Sequence, residues 1–121
     1  MTRLAAHVER TRPLERIVGK VGQQLYVVQT DGVEAFVADG EAVYAVTRQG
    51  RYVIDRALER LESVLDSTRF IRVHRRAIVN LDKVSLVEPI HKGGATARLH
   101  CGYTVEVSRR FVGALRRTLE W

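Results

Sequence analysis

Residues 33–47 read Val33-Glu34-Ala35-Phe36-Val37-Ala38-Asp39-Gly40-Glu41-Ala42-Val43-Tyr44-Ala45-Val46-Thr47. Two runs rich in strand-forming residues flank Asp39-Gly40. Asp-Gly in that position is a hairpin signal, because glycine accepts a positive φ without strain. Asp31-Gly32 and Gln49-Gly50 punctuate the chain on either side. They separate Leu25–Val28, Val33–Val37, Val43–Val46 and Tyr52–Ile54, and Leu14–Val21 upstream is a broken alternation. Turns this closely spaced predict antiparallel sheets rather than βαβ crossovers.

Working outward, Asp55 stands where a helix N-cap would, and Ala57, Leu58, Leu61, Val64 and Leu65 repeat at helical spacing. This predicts one amphipathic helix of about three turns, with Glu59, Arg60 and Glu62 on its solvent side. Strands resume at Phe70–Val73, Val84–Val87, Ala95–Leu99 and Thr104–Val107, with turns at His91–Gly94 and Cys101-Gly102. Ala77–Leu81 reads equally as a helical turn or a strand. Arg109–Leu119 is a closing helix with Ser108 at its N-cap. Val107 and Val112 have the spacing of a hydrophobic staple, and Phe111, Leu115, Thr118 and Leu119 form the inward stripe. Residues 1–12 read as a short helix or linker on the strength of Leu4, Ala5 and Val8, ended by Pro13. Residues 13–121 then make one domain, mainly β with short helices: antiparallel β-sheets, one central helix and a C-terminal helix.

The totals narrow the function classes. With 121 residues, 45% of them hydrophobic and 28% charged, the chain is neither a disordered tail nor a membrane protein. The longest apolar run, Ala42–Val46, is too short to span a bilayer, and the first residues carry no signal-peptide pattern. A cytoplasmic protein with no membrane partner is expected. The lone Cys101 excludes an internal disulfide, and core packing is the simplest role for it. Lys and Arg number 20 against 14 Asp and Glu, a formal charge of +6. Such a balance favours a polyanionic partner.

Two clusters carry that charge in an informative way. Residues 69–76 read Arg-Phe-Ile-Arg-Val-His-Arg-Arg, with no acid among them. Alternation puts Ile71 and Val73 on one side of a strand, Arg72 and His74 on the other, and Arg75 and Arg76 at its exit. The bland explanation is a solvated strand end whose arginine stems cover apolar surface. The second cluster is Ser108-Arg109-Arg110. Arg109 and Arg110 fall in the first helical turn, where the macrodipole disfavours cations by about 0.3–1 kcal/mol each. A helix N-terminus with free amides and two arginines suits phosphate, and arginine reads guanine through O6 and N7. The competing explanation is solvent exposure, or pairing with Glu106 or Glu120.

No catalytic constellation stands out, so an enzyme is not expected. G-x-S-x-G, H-E-x-x-H and G-x-G-x-x-G are absent, and Gly19-Lys20 lacks the rest of a P-loop. His74, His91, His100 and Cys101 match no zinc spacing, and no metal or other cofactor is expected. Aromatic residues make up 7% of the chain and form no RNP-type signature, so Tyr26, Phe36, Tyr44 and Tyr52 are expected to pack between sheets.

The stretch Phe70-Ile71-Arg72-Val73-His74-Arg75-Arg76-Ala77-Ile78-Val79-Asn80-Leu81 is similar to the central signature of LytTR DNA-binding domains, F-x-R-x-H-R-S-x-x-V-N. Val107-Ser108-Arg109-Arg110-Phe111-Val112 resembles their second signature. Both occur in the right order, and the resemblance covers about residues 14–119. It implies antiparallel sheets with short helices, non-enzymatic sequence-specific binding of double-stranded promoter DNA, and readout in the major groove from loops. It further implies paired direct repeats, a possible homodimer on DNA and, in a longer chain, a response-regulator receiver domain. Carried onto this chain, the base contacts fall on Arg75 and Arg109. His74, Arg76 and Arg110 are then backbone-positioning residues. Arg76 departs from the serine common in the family. The early hairpin loop, usually a third contact, reads Gly40-Glu41-Ala42-Val43, and neither alanine nor valine supplies a polar base contact. Two other classes stay in view: a basic protein-interaction module, and a small-ligand domain that binds a cyclic dinucleotide. The D/N-x-S-x-x-G motif of the latter is absent.

Overall fold

The computed structural model describes residues 12–121. The expected N-terminal helix or linker therefore lies almost wholly outside the described residues. The strands are β1 Arg16–Val21, β2 Gln24–Gln29, β3 Val33–Asp39, β4 Ala42–Thr47 and β5 Gly50–Ile54, then β6 Phe70–His74, β7 Ala77–Asn80, β8 Val84–Pro89, β9 Ala95–Leu99 and β10 Thr104–Val107. Helix α1 (Leu58–Val64) falls between β5 and β6, and α2 (Arg109–Leu119) closes the chain. Every strand pairing is antiparallel. Seven strands form one sheet in the order β2-β1-β5-β4-β3-β7-β6, and three form another in the order β10-β9-β8.

Around β3 and β7 the large sheet is covered on both faces, which makes three layers there. Ala35, Val37, Val46, Val73, Ala77 and Val79 pack against Ala95, Ala97, Leu99, Val105 and Val107 of the small sheet and Leu115 of α2. On the opposite face Val33, Phe36, Ala45, Ile54, Phe70 and Ile78 pack against Leu58, Leu61 and Leu65. Strands buried on both faces read as continuous apolar runs, which is why β3 and β7 show little alternation. It also resolves Ala77–Leu81: residues 77–80 are a strand buried throughout, and a single 3-10 turn begins at Leu81.

A bulge in β3, a buried asparagine and two turns adjust this plan. In β3 the register shifts between Val33 and Ala35, so Glu34 is the extra residue. Its buried carboxylate accepts the Cys101 N–H at 2.9 Å and ties the β9–β10 turn to the large sheet. Asn80, fully buried, donates from Nδ2 to the Val33 carbonyl at 2.8 Å and accepts the Asp82 N–H at 3.0 Å. The Asp39-Gly40 hairpin forms as expected, with Gly40 at φ +65°. Asp31-Gly32, in contrast, is not a hairpin. It belongs to a 3-10 turn that carries the chain from the edge strand β2 to the central β3, pinned by the Thr30 N–H to the Glu15 carbonyl.

Other expectations need correction. Helix α1 starts at Leu58 with Ala57 at its N-cap, not at Asp55, and runs seven residues rather than three turns. Its last-turn residue Leu65 turns extended and is buried instead against Phe36 and its neighbours. In α2, Leu115 is buried and Phe111 and Val112 pack beside it, but Thr118 and Leu119 are exposed beyond the end of the small sheet. Phe36 is buried, but against α1 rather than between the sheets, and Tyr52 packs on that same side; Tyr44 packs against the inter-sheet core as expected. Tyr26 is exposed on the edge strand and touches Tyr52, with ring centroids 5.5 Å apart. Among the described residues, no helix is long and apolar enough to cross a membrane.

Candidate nucleic-acid interface

The two arginine clusters meet at one end of the molecule. The Ser108 N–H donates to the Val73 carbonyl at 2.9 Å, which docks the start of α2 on the last residues of β6. The Ala38 N–H donates to the Arg76 carbonyl at 2.9 Å, which brings the β3–β4 hairpin to the same place. Three segments distant in sequence, Ala38–Ala42, His74–Arg76 and Ser108–Arg110, therefore share one end.

Within β6 the register shifts between Arg72 and His74, leaving Val73 as the extra residue. A bulge changes which face the following side chain takes. The expected grouping of Arg72 with His74 therefore fails. Arg72 lies opposite Ile78, on the α1 side, whereas His74 lies opposite Ala77, on the small-sheet side. His74 Nε2 is 3.7 Å from Glu106 Oε1 on β10. Its Nδ1 accepts the Arg76 N–H at 3.1 Å, closing the turn.

The arginines of residues 69–76 divide into two kinds. Arg69 Nε is 3.5 Å from Asp82 Oδ2. Arg72 contacts Glu62 at 2.7 Å and Glu59 at 3.8 Å. The segment has no acid of its own, but the fold supplies acids from α1 and from the turn after β7. Arg75 and Arg76 are exposed and form no ion pair among the described residues. Arg76 Nε leans to the Ala38 carbonyl at 3.4 Å, a long contact that aims this side chain along the β3–β4 hairpin. That hairpin presents exposed Glu41 and half-buried Ala42, with Arg51 held 3.8 Å from Asp39 and stacked over Tyr44.

At the start of α2, Ser108 holds the N-cap position but its hydroxyl makes no capping bond. Neither Arg109 nor Arg110 pairs with Glu106 or Glu120 among the described residues. Arg110 lies over the Phe111 ring, 4.9 Å from its centroid. Arg109 runs along the His91–Gly93 turn, with Nη1 3.5 Å from the Lys92 carbonyl. Gly93, at φ +91°, leaves room for it, because a Cβ there would stand 3.0 Å from Arg109 Cδ. Lys92 itself holds a positive φ of 69°, a conformation that costs a non-glycine residue free energy. His91 and Lys92 thus join the basic end through Arg109, although in the sequence they read as a turn.

Cys101 is half-buried and packs against the inter-sheet core. Burial pushes its thiol pKa up, away from a reactive thiolate.

The chain is similar to known proteins in sequence and fold. Residues 23–120 match the family model described as the LytTr DNA-binding domain. The chain is 28% identical over 109 residues to the positive alginate biosynthesis regulatory protein of Pseudomonas aeruginosa, covering 88% of this chain and 44% of that protein. It is 29% identical over 100 residues to the sensory transduction protein LytT of Bacillus subtilis, covering 82% and 41%. The chain thus spans less than half the length of these relatives. A solved LytTr DNA-binding domain from Bacillus cereus superposes with a TM-score of 0.84 at 21% identity, over 89% of this chain and 99% of that one. The chain belongs to the LytTr DNA-binding domain family.

Proposed function

We propose that this chain regulates transcription by binding duplex promoter DNA sequence-specifically in the major groove through its basic end. Arg75 and Arg109 read base edges, guanine above all, through bidentate contacts. His74, Arg76 and Arg110 position the turn and the sugar-phosphate backbone. The observation that carries this reading is the Ser108 N–H to Val73 carbonyl bond, which brings Arg75 and Arg109 to one surface although far apart in sequence. Phosphate contacts fix register and base contacts specify, and this surface offers arginines for both.

The preferred site is a pair of direct repeats, each taken by one copy, so a homodimer forms on DNA. In a longer chain a receiver domain precedes the module, as befits relatives more than twice its length. The protein acts in the cytoplasm and catalyses no reaction. Selection from a random duplex library tests this reading, followed by titration of the winner and a scrambled duplex at two salt concentrations. Enrichment of a repeated element, with tighter binding than the scrambled duplex, is the expected result. Salt-sensitive binding without enrichment would reduce the basic end to a general polyanion surface.

A further inference from the structure

Arg72 differs from the arginines around it. Its side chain is only 11% exposed, against 46% for Arg69. Its Nη1 donates to Glu62 Oε1 at 2.7 Å, and Glu59 Oε2 lies 3.8 Å from Nη2. If joining β6 to α1 were its whole task, those two carboxylates would suffice. Two further donors go elsewhere. Nε donates to the His74 carbonyl at 2.8 Å, and Nη2 donates to the Arg75 carbonyl. These are the first two carbonyls of the turn that presents Arg75.

We propose that Arg72 is a positioning residue for base reading: its guanidinium holds the His74–Arg76 turn against the acids of α1 and so fixes where Arg75 emerges. This rests on the DNA reading above. The chemistry favours arginine for the task, since a planar fork can serve carbonyls on one edge and a carboxylate on the other. A lysine in its place is a point charge. It can keep the Glu62 pair but cannot span both carbonyls at once. The clamp is closed from the other side by His74 Nδ1 and the Arg76 N–H. With both in place, the backbone under Arg75 has little freedom, and the ordering that base contact demands is made before DNA arrives. Helix α1 then becomes the element through which reading can be tuned, because Glu62 shares the same guanidinium.

The test compares wild type, Arg72→Lys and Glu62→Gln in three measurements. These are the urea midpoint, hydrogen exchange of the Arg76 amide without DNA, and affinity for the selected and scrambled duplexes. For Arg72→Lys the expected result is Arg76 exchange faster by about tenfold and a site preference lower by about tenfold, as the loss of charge-assisted hydrogen bonds implies. Glu62→Gln shifts both in the same direction by a smaller factor. Unchanged exchange and unchanged preference in Arg72→Lys would overturn the proposal while the DNA reading stands. Should Arg72→Lys lower the midpoint, Glu62→Gln decides: the same two shifts support the clamp, and their absence overturns it. Faster exchange in a protein whose wild type prefers no sequence would overturn the link to base reading, together with the proposed function.

Discussion

Strand β6 and the turn that leaves it carry the same kind of side chain and use it in opposite ways. Arg69 and Arg72 are held by Asp82, Glu59 and Glu62. Arg75 and Arg76, a few residues on, have no carboxylate partner among the described residues. In the sequence all four fall within one eight-residue stretch that has no acid. Among the described residues the fold supplies acids to Arg69 and Arg72 and none to Arg75 and Arg76. A basic run in a sequence is therefore not a unit of function; its members have to be sorted by what the fold brings to each.

That contrast predicts changes of stability at Arg69 and changes of binding at Arg75, with Arg72, paired to acids yet bonded to the turn, acting on binding through Arg75. The largest stability effect belongs to Asn80→Ala. It strands the buried Val33 carbonyl, at about 1–3 kcal/mol, and leaves the N–H of exposed Asp82 to water. Urea denaturation measures the loss, while the folded fraction keeps its DNA affinity. A drop in affinity without a drop in stability would break the comparison. Next come Arg75→Ala and Arg109→Ala, each expected to cost about 1–3 kcal/mol on the preferred duplex and to leave the urea midpoint almost unmoved. Arg110→Ala is expected to weaken binding about equally on all sequences and to lower the salt slope by about one, as titrations at several salt concentrations would show. Arg69→Ala is the smallest. Its pair with Asp82 is 3.5 Å long and exposed on both sides, so about 0.2–1 kcal/mol of stability is at stake, with no change in site preference.

Much of the architecture was legible because its signals are local. Gly40 marks a hairpin by its own backbone, and α2 has the bounds that Ser108 and the apolar spacing predict. Both signatures stand in the sequence, the first with Arg76 in place of serine. What the sequence hid is what depends on distant partners. The acids that neutralise Arg72 sit on α1, on the side taken for solvent. The bulge at Val73, which parts His74 from Arg72, leaves no local mark. Asp31-Gly32 has the residues of a hairpin but joins strands that do not pair, because β2 lies at the sheet edge and β3 at its centre. The basic turn at His91–Gly93 joins the candidate site only through Arg109.

The central claim is that Arg75, in the turn after β6, reads sequence, while Arg69, paired with Asp82 just ahead of the strand, serves only the fold. Titrating wild type, Arg75→Ala and Arg69→Ala against the selected duplex and its scrambled counterpart, at one fixed salt concentration, tests it most directly. The account predicts that Arg75→Ala loses about 1–3 kcal/mol on the selected duplex and much less on the scrambled one, with Arg69→Ala matching wild type on both. Equal losses on the two duplexes for Arg75→Ala, or a loss of preference in Arg69→Ala as large as that in Arg75→Ala, would contradict it.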